Sequence, residues 1–239
     1  MKPRTALAVG IALAVGASVS AAHDLRGTLQ GHDSLTPSER PATPGRRAFY
    51  WEVPNGVIAL LPSRANPERD LGVVLTGEGV TESTGPVTVP VEGGRCRPGT
   101  VVIAPGATLT VDNRDLLAHE FFLTRADNTA PLVPAEVTNP RTRRQFPAPP
   151  AGTYLLRDAR SPEFRCWIRS GPGQGRVLPV DSRGGFTATG LADGEYTVKV
   201  YFEGEERATQ PVTVEGRAAE VTVTLGEPSA PSNRRGRER

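Results

Sequence analysis

Short apolar–polar alternations, dense turn formers and a lack of helix-length apolar stripes predict an all-β fold for this chain of 239 residues. Glycine (26) and proline (23) punctuate the sequence closely and aromatics make up only 5%, a composition that suits short strands joined by turns. The clearest strands alternate strictly: Tyr196, Val198, Val200 and Phe202 fall on one face, and Val221, Val223 and Leu225 on another. Roughly ten strands of this kind, with no helix after the first 22 residues, predict a β-sandwich architecture.

Taken in order, residues 1–22 read as a secretory signal peptide. Lys2 and Arg4 precede an apolar run from Ala6 to Val15, and Val19-Ser20-Ala21-Ala22 supplies small residues for cleavage. The run is too short to span a bilayer and no later segment comes close, so the mature protein is expected to be exported, periplasmic or extracellular, with no membrane span. Of the 28 basic residues, two lie in that segment; the remaining 26 face 26 acidic ones. A balanced charge gives no electrostatic case for a nucleic-acid partner.

Residues 23–47 are polar and turn-rich and read as a flexible leader. Residues 48–95 hold N-terminal strands expected to complete the C-terminal sandwich: an apolar segment over 49–61, Leu71 to Leu75, and Val87-Thr88-Val89-Pro90, whose proline suits an edge strand. Residues 96–175 form the next unit, in which Val101 and Ile103, then Leu109 and Val111, share strand faces. Pro105-Gly106 turns the chain between them, and Asn113-Arg114-Asp115 leads to His119. Residues 125–150 are proline-rich and read as a long excursion loop with a short strand near Phe146; Arg141, Arg143 and Arg144 make it a candidate binding loop for an acidic partner. Residues 176–226 alternate as a meander with an Asp193-Gly194 turn, and 227–239 read as a disordered basic tail. GPVTVPVEGG at 85–94 and QPVTVEGR at 210–217 echo each other, as two similar edge strands would.

The run over 98–122, in which a strand and a Pro-Gly-x-Thr-Leu turn lead to Asn-x-Asp and then His119, resembles the cupredoxin (plastocyanin-like) signature, with Cys166 where that family places its thiolate ligand. The flanking organisation is similar to periplasmic proteins related to methylamine utilisation. The D-x-x-G-G-F…G-L-x-D-G-E-Y-T-V-K-V run from Asp181 to Val200 resembles carboxypeptidase-regulatory or transthyretin-like sandwiches. Together these resemblances imply a Greek-key β-sandwich of cupredoxin type packed with a second, carboxypeptidase-regulatory-like β-sandwich. They also imply copper as the one candidate cofactor, with His119 and Cys166 as its ligands.

The pattern departs from a type 1 copper site, which needs two imidazoles and a thiolate. Arg169 stands where the second histidine is expected, and a guanidinium does not ligate; beyond the initiator there is no methionine. Cys166 has Cys96 as its one potential partner in the chain, so three roles stay open: a Cys96–Cys166 disulfide, two free thiols, or metal use. An N-terminal copper brace from His23 with His32 or His119 is a further option. No nucleophile elbow and no phosphate loop is present. The expectation is a non-catalytic exported protein without a cofactor, recognising a partner protein or envelope component. The alternatives are a copper-binding electron-transfer protein, or a carbohydrate-binding module using Tyr50, Trp51, Trp167 and Tyr201.

Overall fold

The computed structural model describes residues 22–37 and 64–226, apart from residues 83, 105, 148, 163, 172 and 174. The stretch read as a signal peptide (but for residue 22), the apolar segment 49–61 with Tyr50 and Trp51, and the stretch read as a basic tail lie outside the described residues. In chain order the strands are β1 (His23–Gln30), β2 (Leu71–Gly77), β3 (Val87–Val91), β4 (Thr100–Ile103), β5 (Leu109–Asn113), β6 (His119–Arg125), β7 (Pro131–Thr138) and β8 (Arg143–Phe146). They continue with β9 (Gly152–Asp158), β10 (Cys166–Ser170), β11 (Arg176–Leu178), β12 (Gly185–Leu191), β13 (Gly194–Phe202), β14 (Glu205–Val214) and β15 (Ala219–Thr224). One helical turn, α1 (Pro67–Asp70), is capped by the Asn66 side chain, which accepts from the Arg69 N–H. The chain is all-β, with its sheets arranged as sandwiches, as the alternation predicts.

Strands β3 to β10 make the first body. A five-stranded sheet, ordered β4-β10-β9-β6-β7, shares a core with a three-stranded sheet ordered β3-β5-β8. Two pairs are parallel, β4 with β10 and β3 with β5. Consecutive strands β4 and β5 therefore belong to different sheets, and the turn at Gly106 carries the chain from one layer to the other. Val101, Ile103, Leu109, Val111, Phe121, Phe146 and Ile168 fill the space between, all buried. Strand β3 belongs to this body through its pairing with β5, so the expected boundary at residue 96 falls too late.

The second body pairs a sheet ordered β12-β1-β15 with one ordered β11-β2-β13-β14. Here the structure corrects two readings. The stretch read as the start of a flexible leader is β1, the central strand of its sheet, antiparallel to β12 and parallel to β15. Its Leu25 and Leu29 are buried in the core while Arg26, Thr28 and Gln30 face solvent, the alternation of a half-buried strand. The expected meander is not one, because β12 and β13 lie in different sheets and β15 leaves β14 to pair with β1. The Asp193-Gly194 corner thus crosses between layers instead of closing a hairpin. The two echoing segments, β3 and the end of β14, are edge strands of separate bodies, where Pro90 and Pro211 interrupt no central ladder.

The bodies meet along β4, β2 and β13. Val74, Val102 and Tyr201 pack together, and the Glu203 N–H donates to Thr100 Oγ1 at 2.9 Å. Tyr201 is buried in this contact, and Trp167 packs against the Gly204 backbone beside it. The buried Tyr201 ring offers no face for sugar stacking, and Trp167 is only partly exposed.

Gly27 leaves no room for a side chain, since a Cβ there would sit 2.0 Å from the ring tip of Phe186 on the paired strand β12. Gly27→Ala is expected to destabilise the protein by about 1–3 kcal/mol through overpacking, measured as a lowered midpoint in chemical denaturation. An unchanged midpoint would show that β1 does not run beneath Phe186.

Candidate functional site

One end of the first body is organised by His119, the first residue of β6. Four loops converge there, and side chains at the ends of β5 and β9 tie them together. Asn113, fully buried at the end of β5, accepts the Asp115 N–H on Oδ1 at 3.0 Å, a local Asx turn. Its Nδ2 faces the carbonyls of Leu117, Thr138 and Asn139, each at 3.0 Å. The loop 114–118 is thereby fastened to the corner between β7 and β8.

Asp115 turns inward and joins a third loop. Its carboxylate accepts the N–H groups of Gly93 and Gly94. Both glycines have left-handed backbone (φ 63° and 68°), which aims two successive N–H groups at one anion. A side chain at either position would strain this arrangement.

His119 lies between two carboxylates. Its Nδ1 is 2.8 Å from Asp158 Oδ2 and its Nε2 is 3.0 Å from Asp115 Oδ2. The ring is 5% exposed, stacked on Phe121 with centroids 5.0 Å apart and tilted against Phe164 at 6.3 Å. Ionised carboxylates only accept hydrogen bonds, so with both ionised each ring nitrogen carries a proton and the ring is a cation. Asp158, at the end of β9, also accepts the Glu120 N–H at 2.8 Å and the Arg160 N–H at 3.0 Å. Burial works against its charge, but the bonds from His119, Glu120 and Arg160 outweigh that, and its carboxyl is held below the usual carboxylate range.

Cys166, on β10, forms a disulfide with Cys96, with Cα atoms 5.7 Å apart and a sequence separation of 70. Both half-cystines are buried in the same core as Phe121 and Phe164. Along β10, Cys166, Ile168 and Ser170 point into the core, while Trp167 and Arg169 point the other way. Arg169 donates to Thr153 Oγ1 at 2.9 Å on that opposite face.

These positions do not fit a copper centre. The Cys166 sulfur is bonded to Cys96, and both His119 nitrogens are taken by carboxylates. Asp115 and Asp158 approach opposite edges of the ring, so the three side chains do not converge on one ion. The His23 brace is not assembled either: His23 lies 3.2 Å from Asp193 at one end of β1, His32 lies beyond the other end, and His119 is in the first body.

The basic excursion loop is corrected as well. About half of residues 125–150 is strand: β7, which was not expected, pairs along β6, and β8, the expected short strand at Phe146, pairs along β5. Arg144 is structural: its guanidinium donates to the carbonyls of Phe121, Glu136 and Pro134 and lies over the Phe146 ring at 4.6 Å. It does not reach out to an acidic partner. Arg143 bonds Asp112 at 3.2 Å yet stays largely exposed, and Arg141 is exposed in a left-handed turn (φ 59°). Sequence reasoning paired His119 with Cys166, or with His23, as metal ligands and did not name Asp115 or Asp158 as its partners. The spacing of four from Asp115 was a usable signal, whereas Asp158, 39 residues away, left none.

No protein-family model matches the chain, and no curated protein does. Among solved structures it is similar to a reduced amicyanin variant, at 16% identity and a TM-score of 0.33, over 41% of this chain and 99% of that one. A reduced Cu(I) form of another amicyanin variant matches at 16% identity, with a TM-score of 0.33, over 41% of this chain and 98% of that one. The Cu-containing nitrite reductase of Thermus scotoductus SA-01 matches at 21% identity and a TM-score of 0.32, over 36% of this chain and 22% of the reductase. The chain thus spans less than a quarter of the reductase it matches.

Two predictions follow from the geometry. Asp158 has a lowered folded-state pKa, so its stabilisation is fully present above the unfolded value of about 3.9 and is lost as pH falls through the folded value. Asp158→Asn should cost about 3 kcal/mol at neutral pH, and the gap to the parent protein should close on acidification below about pH 4. A gap independent of pH would remove the ionic role. Separately, thiol titration of the denatured, unreduced protein should find no free thiol and two after reduction. Cys96→Ala should lower stability by about 4 kcal/mol in the chain-entropy estimate for a loop of this length.

Proposed function

We propose that this chain is an exported, non-catalytic β-sandwich protein that recognises a partner protein or an envelope component. Its first body is a cupredoxin-like sandwich without the copper chemistry, and its second is a carboxypeptidase-regulatory-like sandwich. One observation carries the reading: the two atoms that the resemblance assigns to a metal are spent on cross-links, the Cys166 sulfur on Cys96 and the His119 ring on Asp115 and Asp158.

Further support comes from the disulfide itself, which suits an oxidising compartment, and from the signal-peptide pattern of residues 1–22. Among the described residues, no helix is long and apolar enough to cross a membrane. No constellation of nucleophile, base and oxyanion donors stands at the His119 end. The imidazole is sandwiched and 5% exposed, so it is poorly placed to exchange protons with a substrate.

Copper titration of the purified protein, followed by dialysis and metal analysis, tests this reading. The expected result is no stoichiometric copper and no visible charge-transfer band in the parent protein or in His119→Ala. Stoichiometric copper that survives dialysis, is blue, and is lost in His119→Ala would overturn the reading in favour of electron transfer.

A further inference from the structure

The largest exposed apolar side chains among the described residues are two neighbours, Leu116 at 78% and Leu117 at 73%. They stand at the tip of the loop from β5 to β6, directly beyond the His119 clamp. An unconstrained loop would turn one of two adjacent leucines inward. This loop does not, because its backbone is pinned on both sides. The Leu117 carbonyl accepts from Asn113 Nδ2, while Asp115 is held by Gly93, Gly94 and His119. The leucines are presented in water by a rigid support.

The rim around them is cationic in a chain whose overall charge is nearly balanced. Arg114 and Arg143 share the Asp112 carboxylate, but the two guanidinium side chains are 56% and 68% exposed and the carboxylate only 12%. On the other side Arg160 bonds Glu120 at 3.5 Å with the cation the more exposed partner. Arg141 is exposed in the loop whose Thr142 carbonyl accepts the Asn113 N–H. Arg114, Arg141, Arg143 and Arg160 face outward while Asp112, Asp115 and Asp158 are sunk; Glu92 and Glu120 are the acids that stay partly in solvent nearby.

We propose that Leu116 and Leu117 anchor a docking surface for a protein partner that offers an apolar socket edged by carboxylates. This rests on the recognition role proposed above and locates it. A few apolar side chains on a pre-ordered support are how protein interfaces concentrate affinity, since little is lost in ordering the loop. The arginine rim supplies orientation and encounter rate with an acidic surface. Two leucines without an aromatic companion fall short of what stable attachment to a lipid surface needs.

The test uses the full chain, immobilised and panned against a displayed library of random peptides, with affinities of enriched peptides measured by fluorescence anisotropy. Enriched peptides are expected to combine acidic and apolar residues and to bind less tightly as salt rises. The double variant Leu116→Ser/Leu117→Ser, exposed and expected to melt like the parent, should bind them at least about tenfold more weakly. Arg143→Ala should weaken binding and flatten the salt dependence. No enrichment, or equal binding by the serine variant, overturns the proposal. So does retention on phosphatidylglycerol vesicles that depends on the same leucines, which would make the occupant a membrane. Copper bound to a protein that still docks peptides would fault the metal-free reading alone, and a copper-free protein that docks nothing would fault the surface alone.

Discussion

The end of the first body depends on one imidazole held between two inward-facing carboxylates. Three titratable groups in so little solvent would be unfavourable if any were unanswered, because desolvation of an ion exceeds what a single weak partner returns. Here none is. With both acids ionised, the ring cation faces one carboxylate on each side, and four peptide N–H groups, from Gly93, Gly94, Glu120 and Arg160, spread the remaining negative charge. Because those donors come from two separate loops and from the start of β6, satisfying the charges also fixes the loops to the strand. The cluster gathers the strand ends by hydrogen bonds, as a coordinated ion would gather them by ligation, and it needs no ion to do so.

A second constraint is topological. The second body is completed by β1 and β2, both far upstream of the strands they pair with, so its core closes only when the chain's two ends meet. Register with β12 and β15 places β1 in the middle of its sheet, where a lost strand would separate its two neighbours. The first body is inserted between these halves. Its β4 touches β2, while the loop before β4 is stitched to β10 by the disulfide. A cross-link over 70 residues restricts the unfolded chain strongly, and it does so inside the unit whose strand pairs are partly parallel and therefore non-local.

Much of this architecture was legible from alternation alone. Strands such as β13 and β15 carry one buried face and one wet face, which is the condition under which a period of two shows in sequence. The strands that escaped show that contrast only weakly in their residue types. In β1 the buried face is made by Leu25, Gly27 and Leu29, and the glycine stands where Phe186 occupies the space. β7 is an edge strand wetted on nearly all sides; Pro131 and Pro134 interrupt it, and its alternate Val133, Ala135 and Val137 are at most partly buried. Arg144 was misread for the opposite reason: its charge suggested solvent, but stacking on Phe146 and three carbonyl acceptors hold it in place. At the candidate site, Asp115 and His119 were near enough in sequence to be read together, whereas Asp158 is brought in by the pairing of β6 with β9, and no local pattern encodes that.

The disulfide and the clamp also bear on one another. A thiolate at Cys166 and a free ring nitrogen at His119 are the two donors a copper site would draw from this corner of the fold. With the sulfur bonded to Cys96 and the ring bonded on both sides, neither of these two donors is free, and both side chains hold strands and loops together. Stiffness gained inside has an effect outside. A loop fastened through the Arg114 and Asp115 N–H groups, the Leu117 carbonyl and the Asp115 carboxylate can hold Leu116 and Leu117 in water without collapsing onto them. On the proposed recognition role, shape and charge at this surface do the work and the His119 cluster keeps that surface in place.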